Sequence, residues 1–263
     1  MNTLPNRLHL GRVSFALLLA LVGIEAIALG VDKGAGKDGA LVVSVDHVVP
    51  EYKAGAKFRS PATIDTALAE DLARRLQLPL STTVDPGKAD LQLTTLGDVA
   101  AVPPDVAVIP IGYRAAPMAI MRSDTTIRRW EQLEGRKVCV AQGGNHVGTV
   151  ANQYSASEVV YPSPTDALVA LRTGDCDAMV HDSPMLEELL RLPEWKKFSR
   201  RLTAGRRGTL AFLVPAEDRK SISVLRQVAA DWNAKAYPDA LVKNAVRNIA
   251  FEVYLEQDVP DCH

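Results

Sequence analysis

The chain has 263 residues, 47% of them hydrophobic and 23% charged, with 30 basic and 31 acidic side chains. This ordinary globular make-up excludes a disordered or collagen-like chain, three cysteines are too few for a disulfide scaffold, and a net charge of −1 offers no basic excess to attract nucleic acid. The length fits one large domain or two of about 100–150 residues, enough to bury real cores.

The first segment carries Arg7 and Arg12, then the uncharged run VSFALLLALVGI over residues 13–24, then Glu25 and Ala26-Ile27-Ala28. A basic start, an apolar stretch of about a dozen residues and a small-x-small end predict a secretory signal peptide covering 1–28, cleaved after Ala28. The alternative is a retained anchor, in which Glu25 would be costly in hydrocarbon. Either way the remainder is expected outside the inner membrane, in the periplasm or anchored facing it. Residues 29–39 are Gly-rich and polar and read as a flexible leader.

Residues 40–45 (ALVVSV) predict a strand, and 64–76 an amphipathic helix with Ile64, Leu68, Leu72 and Leu76 every four residues. Short strands follow at 80–84 and 89–93, separated by an Asp85-Pro86-Gly87 turn. Residues 99–110 read as irregular, broken by Pro103, Pro104 and Pro110. Beyond them come a strand at 118–121, a short helix at 127–133, the buried strand KVCVA at 137–141, a helical segment to about Tyr154 and a strand at 158–161. Then come a helix at 167–173 capped by the preceding Ser163-Pro164-Thr165-Asp166, a strand at 177–181, a helix at 185–191, a strand at 210–214 and helices at 222–236 and 239–246. Strands alternating with helices imply βαβ units around a parallel sheet.

Two segments carry potential chemistry. In KVCVAQGGN a buried strand opens onto Gly143, Gly144 and Asn145, where glycine lets backbone approach a ligand and free N–H groups favour an anion; a tight turn without a ligand has the same pattern. It is neither the GxGxxG fingerprint nor a phosphate-binding GxxxxGK[ST]. In DAMVHDSP, Asp182 falls at the carboxyl end of a strand, where open α/β sheets bind ligands, although Asp182 could equally cap the helix that begins at Pro184. The five histidines show no metal-ligand spacing, and neither GxSxG nor a nucleophile–base arrangement stands out, so no catalysis, no metal and no cofactor are expected. Cys139 and Cys176 lie on or beside strands that would be neighbours in a doubly wound sheet. They are read either as a disulfide, as an exported protein allows, or as two buried thiols.

The segment 137–184, KVCVAQGG followed by VVYPSPTDALVALRTGDCDAMVHDSP, resembles the second lobe of family 3 periplasmic solute-binding proteins, the polar amino-acid receptors of ABC importers. RGTLAFLVP, ALVVSVDHVVPEY and TIDTALAEDLARRLQLPL are similar to further segments of that family, so the likeness spans about residues 40–250. It implies an α/β, two-lobed periplasmic-binding-protein-like fold of type II. Parallel or mixed sheets would carry flanking helices, with two hinge crossovers near 112–117 and 205–209. Residues 40–114 and 208–263 would form a discontinuous first lobe and 115–207 the second. By the same resemblance Asp182 would hold a ligand ammonium, Gly143 and Gly144 would present N–H groups with Asn145 beside them, and Asp46 and Tyr52 would line the first-strand loop. The partners implied are a small polar solute, an amino acid or small organic acid, and an ABC permease or another periplasmic protein, with the chain a monomer. Two departures stand out. Only Asp85-Pro86-Gly87-Lys88 separates two strands that the family joins by a helix of about a dozen residues, so the first lobe is trimmed. The stretch TTLGDVAAVPPD lacks the family's carboxylate-clamping Arg, for which Arg114 is the nearest substitute. These departures keep open a second role, a degenerate binding module contacting a periplasmic enzyme or sensor.

Overall fold

The computed structural model describes residues 39–46, 57–97, 99–203 and 205–256. The expected signal peptide, the leader up to residue 38, Tyr52 and Cys262 lie outside the described residues. Among those described, no helix is long and apolar enough to cross a membrane.

Among the described residues, ten strands form two five-stranded sheets. The first contains β1 (Leu41–Val45), β2 (Leu80–Thr83), β3 (Leu91–Leu96), β4 (Val106–Ala115) and β10 (Gly208–Pro215) in the order β2-β1-β3-β10-β4. The second contains β5 (Pro117–Met121), β6 (Lys137–Ala141), β7 (Ser157–Tyr161), β8 (Ala178–Asp182) and β9 (Arg200–Thr203) in the order β7-β6-β8-β5-β9. Both are mixed: β1 runs parallel to β2 and β3, and β6 parallel to β7 and β8, while β10 and β5 pair antiparallel to both of their neighbours. The chain passes from one sheet to the other twice, at Ala116 between β4 and β5 and again between the end of β9 at Thr203 and the start of β10 at Gly208. These are the stretches where the resemblance places crossovers.

Among the described residues, six α-helices flank the sheets: α1 (Asp65–Leu76), α2 (Thr149–Tyr154), α3 (Pro164–Thr173), α4 (Ser183–Leu189), α5 (Arg219–Ala234) and α6 (Tyr237–Leu255). Their ends follow capping chemistry. Ser163 accepts from the Asp166 N–H to start α3, Gly174 ends it at φ +86°, and Asp218 accepts from the Ser221 N–H to start α5. Helices α1 and α5 share one face of the first sheet, where buried Asp71 accepts from Trp232 Nε1 at 2.7 Å and from Arg75 Nε at 2.5 Å. The apolar core beneath them (Leu68, Leu72, Phe212, Leu225, Trp232) is continuous with the core of the second sheet (Met118, Met179, Leu168, Leu186). Helix α6, which the sequence reading groups with the first lobe, supplies the continuity by packing against α3 and α4 as well as α5.

Two elements differ from expectation. The Pro-broken stretch up to residue 110 ends in a ten-residue strand, β4. It stands because β4 is an edge strand and Pro110 sits beside a register shift opposite β10, where a missing N–H costs little. Helix α6 runs on to Leu255 rather than stopping at Val246, since Val246, Ile249 and Val253 keep a buried stripe on the shared core.

Candidate functional site

Between the two sheets lies a cleft of about 400 Å³, at the lower end of the range of roughly 300–1,000 Å³ common for small-molecule sites. One wall comes from the first sheet and its ends: Asp46 after β1, Thr94 and Thr95 of β3, Gly97 and Gly208. The other comes from Pro117, Asn145, His146, Thr149 and Asp182, and Arg206 of the second crossover completes the lining.

Asp182 is the last residue of β8 and only 6% exposed. It precedes α4, but its carboxylate makes no capping hydrogen bond. Its Oδ2 instead accepts from the Tyr113 hydroxyl at 2.9 Å, and its Oδ1 lies 2.8 Å from His146 Nε2. Tyr113 is on β4, so this bond joins the two sheets beside the first crossover. Ser183 secures the same place: its Oγ accepts from the Ala116 N–H, and its own N–H donates to the Ala116 carbonyl. Burial by itself would raise the Asp182 carboxyl. The His146 hydrogen bond, the neighbouring imidazoles and the Tyr113 hydroxyl outweigh it and hold the group below the usual carboxylate range. Burial, with Asp182 alongside, pushes the Tyr113 phenol well above its ordinary value.

His181 turns away from the cleft, as alternation along β8 requires. Its Nδ1 accepts from the Asp182 N–H at 2.7 Å, which puts the ring proton on Nε2. Complete burial lowers its pKa to about 4, against the opposing pull of Asp182 and the Ala62 carbonyl, so the ring is neutral near pH 7.

Asp182, Asn145 and Asp46 therefore meet at one cleft although they lie far apart in the chain. Asp46 is engaged from its own side: Oδ1 accepts from the Thr94 hydroxyl at 2.5 Å and Oδ2 from the Thr95 N–H at 3.1 Å. Three of the expected residues do not line this cleft. Gly143 and Gly144 are not among the lining residues, because the segment closes on itself: the Gly144 N–H donates to the Ala141 carbonyl and Gly143 takes a left-handed φ of +84°. Arg114 is exposed and off the cleft, because alternation along β4 turns its buried neighbours Tyr113 and Ala115 inward and Arg114 outward. The guanidinium at the cleft belongs to Arg206.

His146, Tyr113, Thr94, Thr95, Thr149 and Arg206 were missed as site residues. Arg206 falls within a predicted crossover, and His146 follows the singled-out Asn145; both neighbourhoods were available signals. Cys139 and Cys176 are bonded, with Cα atoms 5.9 Å apart on the adjacent β6 and the approach to β8. Among the described residues, no group of three or more His, Cys, Asp or Glu side chains could hold a metal ion.

Comparison with solved structures returns ligand-binding proteins of this architecture. An ancestral cationic amino acid solute binding protein matches over 80% of this chain and 96% of its own, at 19% identity and a TM-score of 0.53. An amino acid ABC transporter substrate-binding protein from Streptococcus pneumoniae, solved with L-arginine, matches over 81% and 96%, at 18% identity and a TM-score of 0.53. The GLUR0 ligand binding core, solved with L-glutamate, matches over 80% and 100%, at 14% identity and a TM-score of 0.51.

The fold is the two-lobed periplasmic-binding-protein fold. At these identities the likeness is one of architecture. No family model and no curated protein matches the chain.

Proposed function

We propose that this is an exported solute-binding protein that takes a small polar ligand into the cleft between its lobes, 40–114 with 208–263 and 115–207, and performs no catalysis. The observation that carries this reading is the cleft itself: a concave space at the strand ends of two sheets, walled by polar side chains from both, on a fold whose solved examples hold amino acids. Closure about the two crossovers is the motion such a site uses. The amino-terminal segment is read as a signal peptide directing the chain to the periplasm, and a permease of the ABC class is the partner to which the solute would pass.

The test is a thermal-shift and calorimetric screen of the purified chain against amino acids, small organic acids and neutral polar solutes. A saturable rise in Tm with one-to-one stoichiometry is expected, and a flat screen sinks the reading. Mass spectrometry of the exported protein should find a chain beginning at residue 29; one beginning at Met1 makes it anchored.

A specific feature favours the second reading, a module that contacts a periplasmic enzyme or sensor. Where Asp85-Pro86-Gly87-Lys88 replaces a helix, the first sheet carries an open groove of about 680 Å³. Leu91, Leu96, Val106 and Leu213 line it, with Asp90, Asp105 and Glu217 among its polar groups. A flat solute screen would leave this reading standing.

A further inference from the structure

The two sheets share one plan. In each, a strand (β1 or β6) runs parallel to both of its neighbours, and the next strand but one (β10 or β5) is antiparallel to both of its own. The connections after β2 and β3 therefore correspond to those after β7 and β8. In the second sheet these are α3 and α4, which bury Leu168, Leu171, Leu186 and Leu189 over one face. In the first they shrink to 3-10 turns of three residues each, Pro86–Lys88 and Val99–Ala101. The open groove of about 680 Å³ lies between these two turns, on the face opposite α1 and α5, with Leu96, Val106 and Leu213 in its lining.

The groove is on the face of the sheet, not along its edge. A visiting strand would find no free ladder of N–H and C=O groups there, so an occupant must satisfy its own backbone, as a helix does. Charge narrows the choice further. Asp90, Asp105 and Glu217 line the groove, and no Lys or Arg does. The Val42 N–H donates to Asp90 Oδ2 at 2.8 Å and holds that carboxylate in place. Lys88, on the adjoining turn, is paired with Asp85, and Arg219 and Arg226 of α5 line a separate hollow. An apolar floor bordered by carboxylates selects a partner whose apolar surface has basic flanks.

We infer that this groove docks an amphipathic helix of another protein, with its apolar stripe on Leu96, Val106 and Leu213 and its flanking Lys or Arg side chains facing Asp90, Asp105 and Glu217. That helix would supply in trans the layer that α3 and α4 give the second sheet. The inference rests on the partner-contact reading of the groove and names what the partner presents; the solute cleft has no part in it.

The experiment titrates the exported chain by calorimetry, after sedimentation has established its oligomeric state at the same concentration. The probes are three synthetic peptides of about fourteen residues, roughly 21 Å long as a helix. One carries Leu and Ala at helical spacing with Lys on both flanks. A twin has Glu in place of every Lys, and a second twin has two central residues of the Lys peptide replaced by Pro. The Lys peptide should bind saturably and one to one, with both twins about tenfold or more weaker. Leu213→Asp should weaken the Lys peptide by about tenfold or more. Asp105→Lys/Glu217→Lys should turn the preference toward the Glu twin, a gain that a misfolded variant would not show. Should Leu213→Asp melt too low to titrate, Leu213→Ser serves. Groove-dependent preference for the Glu or Pro twin in the wild type overturns the inference and leaves partner contact at the groove standing. Lys-peptide binding that none of these variants changes overturns it too, since the peptide then sits elsewhere. A wild-type dimer that Leu213→Asp splits into monomers makes a second copy the occupant and also overturns it. Silence from all three peptides overturns the inference together with the partner-contact reading.

Discussion

The two sheets are built from the same number of strands and differ in how they are covered. The second is packed on both faces. Met118, Ile120, Cys139 and Met179 face the large core under α3 and α4, while Ala119, Met121, Val138, Val140 and Val180 face a separate cluster with Ile127, Trp130, Leu133 and Val150. The first is packed on one face by α1 and α5, and its other side keeps half-exposed residues such as Gln92, Leu96, Val106 and Leu213 around the open groove. The connections explain the contrast. Between β6 and β8 the chain spends α2, β7 and α3, whereas between β2 and β3 it spends one 3-10 turn of three residues, Pro86–Lys88. The second sheet thus has an apolar layer on each face, and the first has one. Across the back, Glu252 of α6 accepts from the Ser60 N–H and hydroxyl and from the Thr165 hydroxyl, so a residue beside α1 and a residue of α3 share one carboxylate.

The sharpest way to break this comparison is to remove the staple of the second half. Cys139 and Cys176 are 37 residues apart in sequence, and a closed loop of that size constrains the unfolded chain by about 4 kcal/mol. Cys139→Ala/Cys176→Ala should lose about that much in denaturant melts, and a loss under about 1 kcal/mol would show that the packed faces alone hold the sheet. Thiol titration of the unreduced, denatured protein should find the Cys262 thiol and no other.

Acid should also strike the second half first. His181 is neutral when folded, with a pKa of about 4 against 6.5, because burial disfavours its charged form. The unfolded chain therefore binds the extra proton between those values, and stability falls as pH drops from about 6.5 to 4, by about 3 kcal/mol for this group. Asp182 adds its own loss lower down, since a depressed carboxyl gives up its contribution only below the ordinary carboxylate range. In His181→Phe the slope over the upper window should shrink; an unchanged slope would assign it to other groups.

A matched pair of truncations tests the covering directly. Leu202→Ala, at the buried position of the edge strand β9, should cost about 3 kcal/mol, and Leu213→Ala, on the half-open side of β10, about 1 kcal/mol or less. Equal losses would mean that the open side of the first sheet is as well packed as the second. The effect with the most local cause is expected at Gly112, where φ is +86° and an added Cβ would lie 1.8 Å from Asn233 Oδ1. The far end of Asn233 can swing aside, so Gly112→Ala should cost about 1–2 kcal/mol, chiefly from the backbone. A neutral result would show that β4 has room to relax at its edge.

Much of this was legible in the chain itself. Period and capping chemistry marked α1, α3 and α5 and the strands KVCVA and DAMVH, because those elements bury an apolar stripe or run whose spacing is written locally. Asp182 could be singled out because a polar residue at the carboxyl end of a buried strand is conspicuous in sequence, whereas Asp46 came only from the family resemblance. Tertiary structure decided the rest. Strand β4, with Pro110 and Gly112 inside it, exists because β10 supplies a partner about a hundred residues away and leaves the proline on an edge. The state of Asp182 was likewise undecidable in advance. Whether a strand-end carboxylate caps a helix, waits for a ligand or is closed by its own chain depends on what lies within 3 Å of it. Here Tyr113 comes from the other sheet, 69 positions earlier, and His146 from a turn 36 positions earlier. Local sequence sets which conformations a segment prefers, but the partner of a buried charge is chosen by the packing that brings distant segments together.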